Sequence, residues 1–137
     1  MNDIKDQKKK CLKILFLIPY FIPAWRFGGP VQLSYTIASK LIQKGHKVTV
    51  LTTDVFKPNE RINKKCNIIE GIKILYFKNR SNYVAAKYKI SQPIGLKRFL
   101  KREIHNYDII HIQEFYTIIT YWAFKYAKKE TFIEKIV

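Results

Sequence analysis

Lys13-Ile14-Leu15-Phe16-Leu17-Ile18-Pro19, followed after a short loop by Gly28-Gly29-Pro30, is the stretch whose reading decides the fold. A continuous apolar run has no polar face to give to water, so it reads as a strand buried on both sides and ended by proline. Residues 20–28 form a loop rich in aromatic residues and prolines. Pro30 suits the first turn of a helix, where a missing N–H costs nothing. That helix is expected over about 30–44, with Leu33, Ile37, Ala38 and Leu41 as its core-facing stripe and Gly45 just past its end. His46-Lys47 leads into a second apolar run, Val48-Thr49-Val50-Leu51-Thr52-Thr53.

The pattern continues outward from this unit. Residues 54–67 are polar and basic and read as a loop. Residues 67–70 and 72–77 read as a strand pair turning at Gly71, and residues 78–93 carry no assignable period. A helix opens at Pro93 or Ile94 and runs to about Asn106, with Leu96, Phe99, Leu100 and Ile104 on one face. Tyr107–Gln113 is a further buried strand, and a helix over about 117–129 places Ile119, Trp122, Ala123 and Tyr126 at helical spacing. Alternating strands and helices imply an α/β fold: a Rossmann-like parallel sheet with helices on both faces and right-handed crossovers. Residues 1–11 are expected to be a basic mobile tail and residues 12–137 a single domain. A doubly wound sheet has more strands than these, so the domain is expected to be incomplete and to expose an apolar sheet edge.

Composition narrows the possibilities. A chain of 137 residues with 47% hydrophobic content suits one α/β domain with a real core and excludes wholesale disorder. Cys11 and Cys66 form no CxxC or Cys/His cluster, which excludes a zinc or redox motif and leaves two reduced structural thiols as the expectation. The apolar stretch ending at Trp25 is broken by Pro19 and Pro23, well short of the roughly 20 residues a membrane-spanning helix needs. A basic start precedes it, but no small-residue cleavage site follows, so a cytoplasmic location is expected. Lys and Arg number 26 against 10 acids, a net charge of +16 that favours an anionic partner; a low-GC genome accounts equally for the abundance of Lys, Ile, Asn and Tyr. Lys97, Arg98, Lys101 and Arg102 make a basic helix stripe, read either as a contact for acidic membrane or lipid-linked phosphate or as a solvated face. No nucleic-acid-binding signature accompanies it.

The glycine pair lies where ligands bind in open parallel sheets, at the carboxyl end of a strand and the N-terminus of a helix. Bare glycine backbone admits a ligand closely. The pattern is neither GxGxxG nor GxxxxGK[ST], which leaves a dinucleotide-dependent oxidoreductase and a P-loop NTPase without support. Trp25, Arg26 and Phe27 precede the pair, and Arg26 is placed to meet a phosphate.

These segments resemble the opening of family 4 (group 1) glycosyltransferases. The match runs through Lys13–Tyr20, Pro23–Pro30 and Leu41–Asp54, the last with the family's Lys-Gly-His start at Lys44-Gly45-His46. A second match, Tyr107-Asp108-Ile109-Ile110-His111-Ile112-Gln113-Glu114 and the helix ending Tyr126-Ala127-Lys128-Lys129, resembles the family's D-x-x-H-x-H-E strand and following helix. The resemblance implies the acceptor-side, N-terminal domain of a two-domain GT-B enzyme, with the donor-binding domain absent. It implies retaining hexosyl transfer from a nucleotide-sugar co-substrate to a glycan or lipid-linked acceptor in polysaccharide or cell-envelope synthesis, with no metal and no other cofactor. Gly28 and Gly29 would receive the donor diphosphate or an acceptor phosphate, and Arg26, Gln113 and Glu114 would touch substrate; no catalytic residue is assigned. Gln113 stands where the family often has histidine, so its role is binding rather than proton transfer. His111, flanked by apolar residues, reads as a satisfied core histidine. The family's E-x7-E motif has no counterpart, since no two glutamates stand eight residues apart. The chain alone is therefore expected to transfer no sugar, being either a truncated gene product or one subunit of a split enzyme whose donor-binding half is separately encoded. Peripheral contact with the inner face of the cell membrane fits the charge. The alternative is a non-catalytic basic module binding acidic lipid or nucleic acid.

Overall fold

The run beginning at Lys13 forms the strand from which the rest of the sheet is built. The computed structural model describes residues 10–57, 59–88, 92–113 and 118–128. Along the chain come β1 (Lys13–Leu17), α1 (Gly29–Gln43), β2 (Lys47–Thr53), β3 (Val55–Lys57), β4 (Glu60–Arg61), β5 (Cys66–Ile69), β6 (Ile72–Phe77), α2 (Asn82–Tyr88), α3 (Leu96–Glu103), β7 (Ile109–Ile112) and α4 (Ile118–Lys128). Short 3-10 turns at Trp25–Phe27 and Ile104–Asn106 precede α1 and extend α3.

The main sheet has the order β5-β6-β2-β1-β7. β1 pairs in parallel with β2 on one edge and β7 on the other, β2 pairs in parallel with β6, and β5 closes one side antiparallel to β6. The fold is a Rossmann-like α/β sheet, mostly parallel. Side chains alternate across it. Ile14, Phe16 and Ile18 join Val48, Val50, Ile72 and Ile74 beneath α1. Leu15, Leu17 and Leu51 join Ile110 and Ile112 beneath α3 and α4. Each face of β1 thus feeds a separate core, which is why its sequence is apolar at consecutive positions.

Two side chains set the register at the start of β1. His46 Nδ1 accepts the Leu12 N–H at 3.2 Å, while Asp108 Oδ2 accepts the Lys13 N–H at 2.8 Å. The His46 contact comes from the β2 side and the Asp108 contact from the β7 side. At the β5–β6 turn Glu70 and Gly71 both have positive φ, 49° and 83°, as a two-residue hairpin turn requires. Tyr35 of α1 donates a hydrogen bond to the Glu70 carboxylate and so ties the helix to this hairpin.

Several expectations need correction. Leu33 is not in the core stripe of α1: it is 51% exposed, and the buried face runs through Val31, Ser34 and Ala38. Ile37, Ala38 and Leu41 pack on the core as expected, and Val31 and Ser34 complete that face in place of Leu33. The 54–67 segment is not only loop, since β3 and β4 pair there antiparallel. The helix expected from Pro93 or Ile94 begins at Leu96, because Gly95 at φ 89° caps it. Residues 78–93, unassigned from sequence, include α2. Both cysteines are free and exposed, so neither thiol packs in a core. On the edge strand β5, Ile68 is 68% exposed. Residues 1–9 of the expected tail, together with 129–137, lie outside the described residues; Lys10 and Cys11 are exposed.

The two-faced burial of β1 gives a direct test. Leu15→Ala should cost about 3 kcal/mol in urea unfolding, the usual result of deleting a buried leucine. Leu33→Ala should stay within about 0.5 kcal/mol of the parent. An equal cost at the two positions would contradict this core assignment.

Candidate functional site

From β1 the chain places its next strands, β2 and β6, on one side and β7 on the other. Strand order therefore reverses between β1 and β7, and the crevice beyond their carboxyl ends is the natural ligand position in such a sheet. The loop leaving β1 starts beside this position, and Gln113 follows the end of β7. Gln113 is held to β1 through its backbone N–H, which donates to Leu17 O at 3.2 Å.

The β1–α1 loop is built from the inside. Ile18, Tyr20, Phe21, Ile22 and Ala24 are all buried. Tyr20 donates from its hydroxyl to Ala85 O at 2.9 Å and stacks on Phe27 with ring centroids 3.9 Å apart. Tyr76 of β6 donates to Ile22 O at 2.7 Å, and Thr53 Oγ1 donates to Pro19 O at 2.5 Å. Ile22 and Pro23 are joined by a cis peptide bond. Trp25 and Arg26 stand at the exposed tip, with Trp25 packed edge-on to Tyr35 and the Arg26 guanidinium 5.9 Å from the Phe27 ring centroid.

Gly28 and Gly29 differ in what the fold asks of them. Gly28 caps α1 at φ 78° and ψ −138°, a conformation essentially closed to other residues. Its N–H donates to Trp25 O at 3.0 Å and its carbonyl accepts from Gln32 N at 3.2 Å. Gly29 is the first helical residue, and a Cβ placed there would meet nothing within 4 Å. The fold thus needs glycine at 28 but not at 29. The first turn of α1 contains no acidic side chain, so its positive dipole end is not neutralised locally. Pro30 contributes no N–H, which leaves the Gly29 and Val31 amides as first-turn donors directed out of the helix.

Across the crevice, His111 and Gln113 lie on the same face of β7's line and meet. His111 Nε2 is 2.9 Å from Gln113 Oε1, and the imidazole packs on Phe16 with centroids 4.6 Å apart. The histidine is satisfied, as expected, but is half-buried at the strand's end rather than sealed in the core. Gln113 Oε1 accepts the Nε2 proton, so Gln113 orients the ring. Glu114 lies outside the described residues. Arg26, Gly28 and Gly29 thus lie in the loop after β1 and at the start of α1, and Gln113 just past β7, the strand paired with β1. No cluster of three His, Cys, Asp or Glu side chains able to hold a metal occurs among the described residues.

A partly buried polar network past the end of β2 was not anticipated from sequence. Asp54, just past β2, takes Arg61 Nη1 on both oxygens at 3.1 and 3.0 Å and the Asn79 N–H at 2.8 Å. Arg61 also donates to Asn79 O at 2.7 Å, and Asn79 Oδ1 accepts the Gln92 N–H at 2.6 Å. This network fixes the β3–β4 hairpin and the chain after β6 to the sheet. The only sequence signal was a single acid at a strand's carboxyl end. The basic stripe of α3 is also larger than expected: Lys97, Arg98 and Lys101 share a hollow of about 430 Å³ with Lys125 and Tyr126 of α4.

Burial of Tyr76 raises its phenol from 10.0 to about 12, with a smaller contribution from Cys66. Between these values the unfolded chain has released a proton that the folded chain keeps, so stability falls as pH rises from about 10 to about 12. Tyr76→Phe should lose about 1 kcal/mol at neutral pH with its bond to Ile22. It should then show a smaller alkaline decline than the parent in urea midpoints measured up to about pH 11; identical alkaline slopes would refute the assignment.

The sequence model of Glycosyltransferase Family 4 matches residues 27–132. No curated protein and no solved structure gives a significant match. With most of its length inside that match, including the helix N-terminus at Gly29 and the strand carrying His111, the chain belongs to glycosyltransferase family 4.

Proposed function

We propose that the crevice between β1 and β7 is the acceptor-side wall of a hexosyltransferase site, with the α1 N-terminus receiving a phosphate of the nucleotide-sugar donor or of the acceptor. One observation carries this reading: Gly29 is bare backbone that the fold does not require, at a helix end with uncompensated positive dipole. Phosphate oxygens accept hydrogen bonds from such amides without a metal. Arg26 adds an exposed cation at the rim, and Gln113 offers an amide to sugar hydroxyls. In a transfer with retained configuration the departing diphosphate gains negative charge, and donors fixed at the helix end stabilise it as it forms. Sugar and nucleotide contacts come from a donor-binding domain, in the same or a separate polypeptide. Glu114 follows Gln113 in sequence and is proposed as a further substrate contact.

Titration with uridine diphosphate, followed by backbone amide NMR, tests the reading. The largest shifts should fall on Gly28, Gly29 and Val31. Gly29→Ala should keep or slightly raise stability while weakening binding about tenfold, equivalent to about 1.4 kcal/mol. Gly28→Ala should instead lose roughly 1–3 kcal/mol of stability. Unchanged binding in Gly29→Ala would exclude a phosphate at this helix end.

A second reading concerns location. The hollow shared by Lys97, Arg98, Lys101 and Lys125 gathers cations from two helices, and Tyr121 and Phe124 are exposed on α4. No helix among the described residues is long and apolar enough to cross a membrane. Peripheral contact of this surface with acidic lipid at the cytoplasmic face of the membrane accounts for both features. Co-sedimentation with phosphatidylglycerol vesicles should occur at low salt and vanish at high salt; binding indifferent to salt would count against it.

A further inference from the structure

A cleft of about 630 Å³ opens at the carboxyl end of β6, separated from the β1–β7 crevice by strand β2. Its size is that of a small-molecule site. Phe77 and Phe99 meet edge-to-face in its wall with centroids 5.7 Å apart, and Leu75 and Ile94 extend the apolar surface. Ile94 is 58% exposed and offers apolar surface at the edge of the cleft. The rim carries Lys64, Lys65 and Lys78, all exposed. The one acid in the lining, Asp54, is committed to Arg61 and to the Asn79 amide. Arg61 and Asp54 therefore cancel, and the three lysines leave the cleft strongly positive over an apolar floor.

We infer that this cleft binds an amphipathic anion, an aliphatic chain bearing a phosphate. The chain lies along Phe77, Phe99 and Ile94, and the phosphate meets Lys64, Lys65 and Lys78. Each half of the ligand answers one half of the lining: the chain removes apolar surface from water, and the phosphate supplies the charge that the rim lacks. Asp54 and Arg61 of the lining are already hydrogen-bonded to each other and to Asn79, so they offer little hydrogen bonding to a sugar or a base. This site stands independently of the phosphate position at α1, since the two use different strands and different residues.

Calorimetric titration of the full chain with octyl phosphate, below its micelle concentration, provides the test, with octanol, inorganic phosphate and uridine monophosphate as separate arms. Octyl phosphate should bind at least about tenfold tighter than each of the others, because only it uses both halves of the site. The double variant Lys64→Glu/Lys65→Glu and the single variant Ile94→Asp should each weaken octyl phosphate binding about tenfold or more. All three side chains are exposed, so urea midpoints should stay near the parent's and separate lost binding from lost folding. Should Ile94→Asp unfold, the lysine variant carries the test alone. Equal binding by octanol, inorganic phosphate or uridine monophosphate overturns the inference, as does unchanged octyl phosphate binding in the folded lysine variant.

Discussion

At the start of β1 two backbone N–H groups are taken by side chains from opposite neighbours: His46 accepts from Leu12 and Asp108 accepts from Lys13. The adjoining backbone bonds, Lys47 N–H to Leu12 O at 2.9 Å and Asp108 N–H to Lys13 O at 2.7 Å, complete a clamp on both edges. Everything else in the sheet inherits its register from this clamp. A slip by one residue would exchange Ile14 and Phe16 with Leu15 and Leu17 and present each core with the wrong set of shapes. It would also move the end of β1 relative to the end of β7, and the crevice depends on those ends lying level. His46 and Asp108 belong to the motifs by which the chain resembles its family, yet their work in the structure is to set register rather than to touch a ligand.

The same economy appears in the loop after β1. A segment that must carry ligand-facing amides is usually free to move. Here it is held by hydroxyls from outside it, Tyr76 to Ile22 and Thr53 to Pro19, and by the stacking of Tyr20 on Phe27. Trp25 and Arg26 at the tip, with Pro23 and Gly28, face solvent. The apolar and aromatic residues of the loop are therefore a small core of its own, and they keep the α1 N-terminus at a fixed height above the sheet. Fixed amides bind an anion with little reorganisation, which is what a phosphate position at a helix end requires.

The central strands, the glycine turn and the two outer helices could be read from sequence because each depends on a local pattern: an unbroken apolar run, a proline at a helix start, or apolar residues at helical spacing. The place of Leu33 on α1 could not, although Ile37, Ala38 and Leu41 do pack on the core. Periodicity selects a face by counting large apolar residues, but the helix lies close to the sheet through Val31, Ser34 and Ala38, and Leu33 is left outside. Close approach favours small residues, and hydrophobic spacing does not register that preference. The Asp54–Arg61–Asn79 network was hidden for another reason. Its members are 7 and 18 residues apart along the chain in segments without period, and only the folded hairpin brings them together. Of the candidate site, the glycines, Arg26 and Gln113 were legible as residue types at strand and helix ends, while the difference between Gly28 and Gly29 required their backbone geometry.

The net charge of the chain takes on a more definite meaning once the acids are located. Among the described residues, Asp54 pairs with Arg61, Glu60 with Lys57 and Glu103 with Arg102, while Glu70 accepts from Tyr35 and Asp108 from the Lys13 backbone. Each acid is thus engaged in a local contact, several of which hold a hairpin or a strand in place. The lysines of the α3–α4 hollow and of the β6 cleft face no carboxylate in their own linings apart from the already committed Asp54. Charge in surplus over a whole surface attracts anions without choosing among them. Selection requires the cations to converge on a concavity with a second kind of contact. The β6 cleft adds apolar wall, the α1 N-terminus adds aligned amides, and the α3–α4 hollow adds exposed aromatics on the neighbouring helix. A single excess of positive charge is thereby divided into three surfaces of different chemistry, proposed in turn to receive an amphipathic phosphate, a diphosphate and a membrane face.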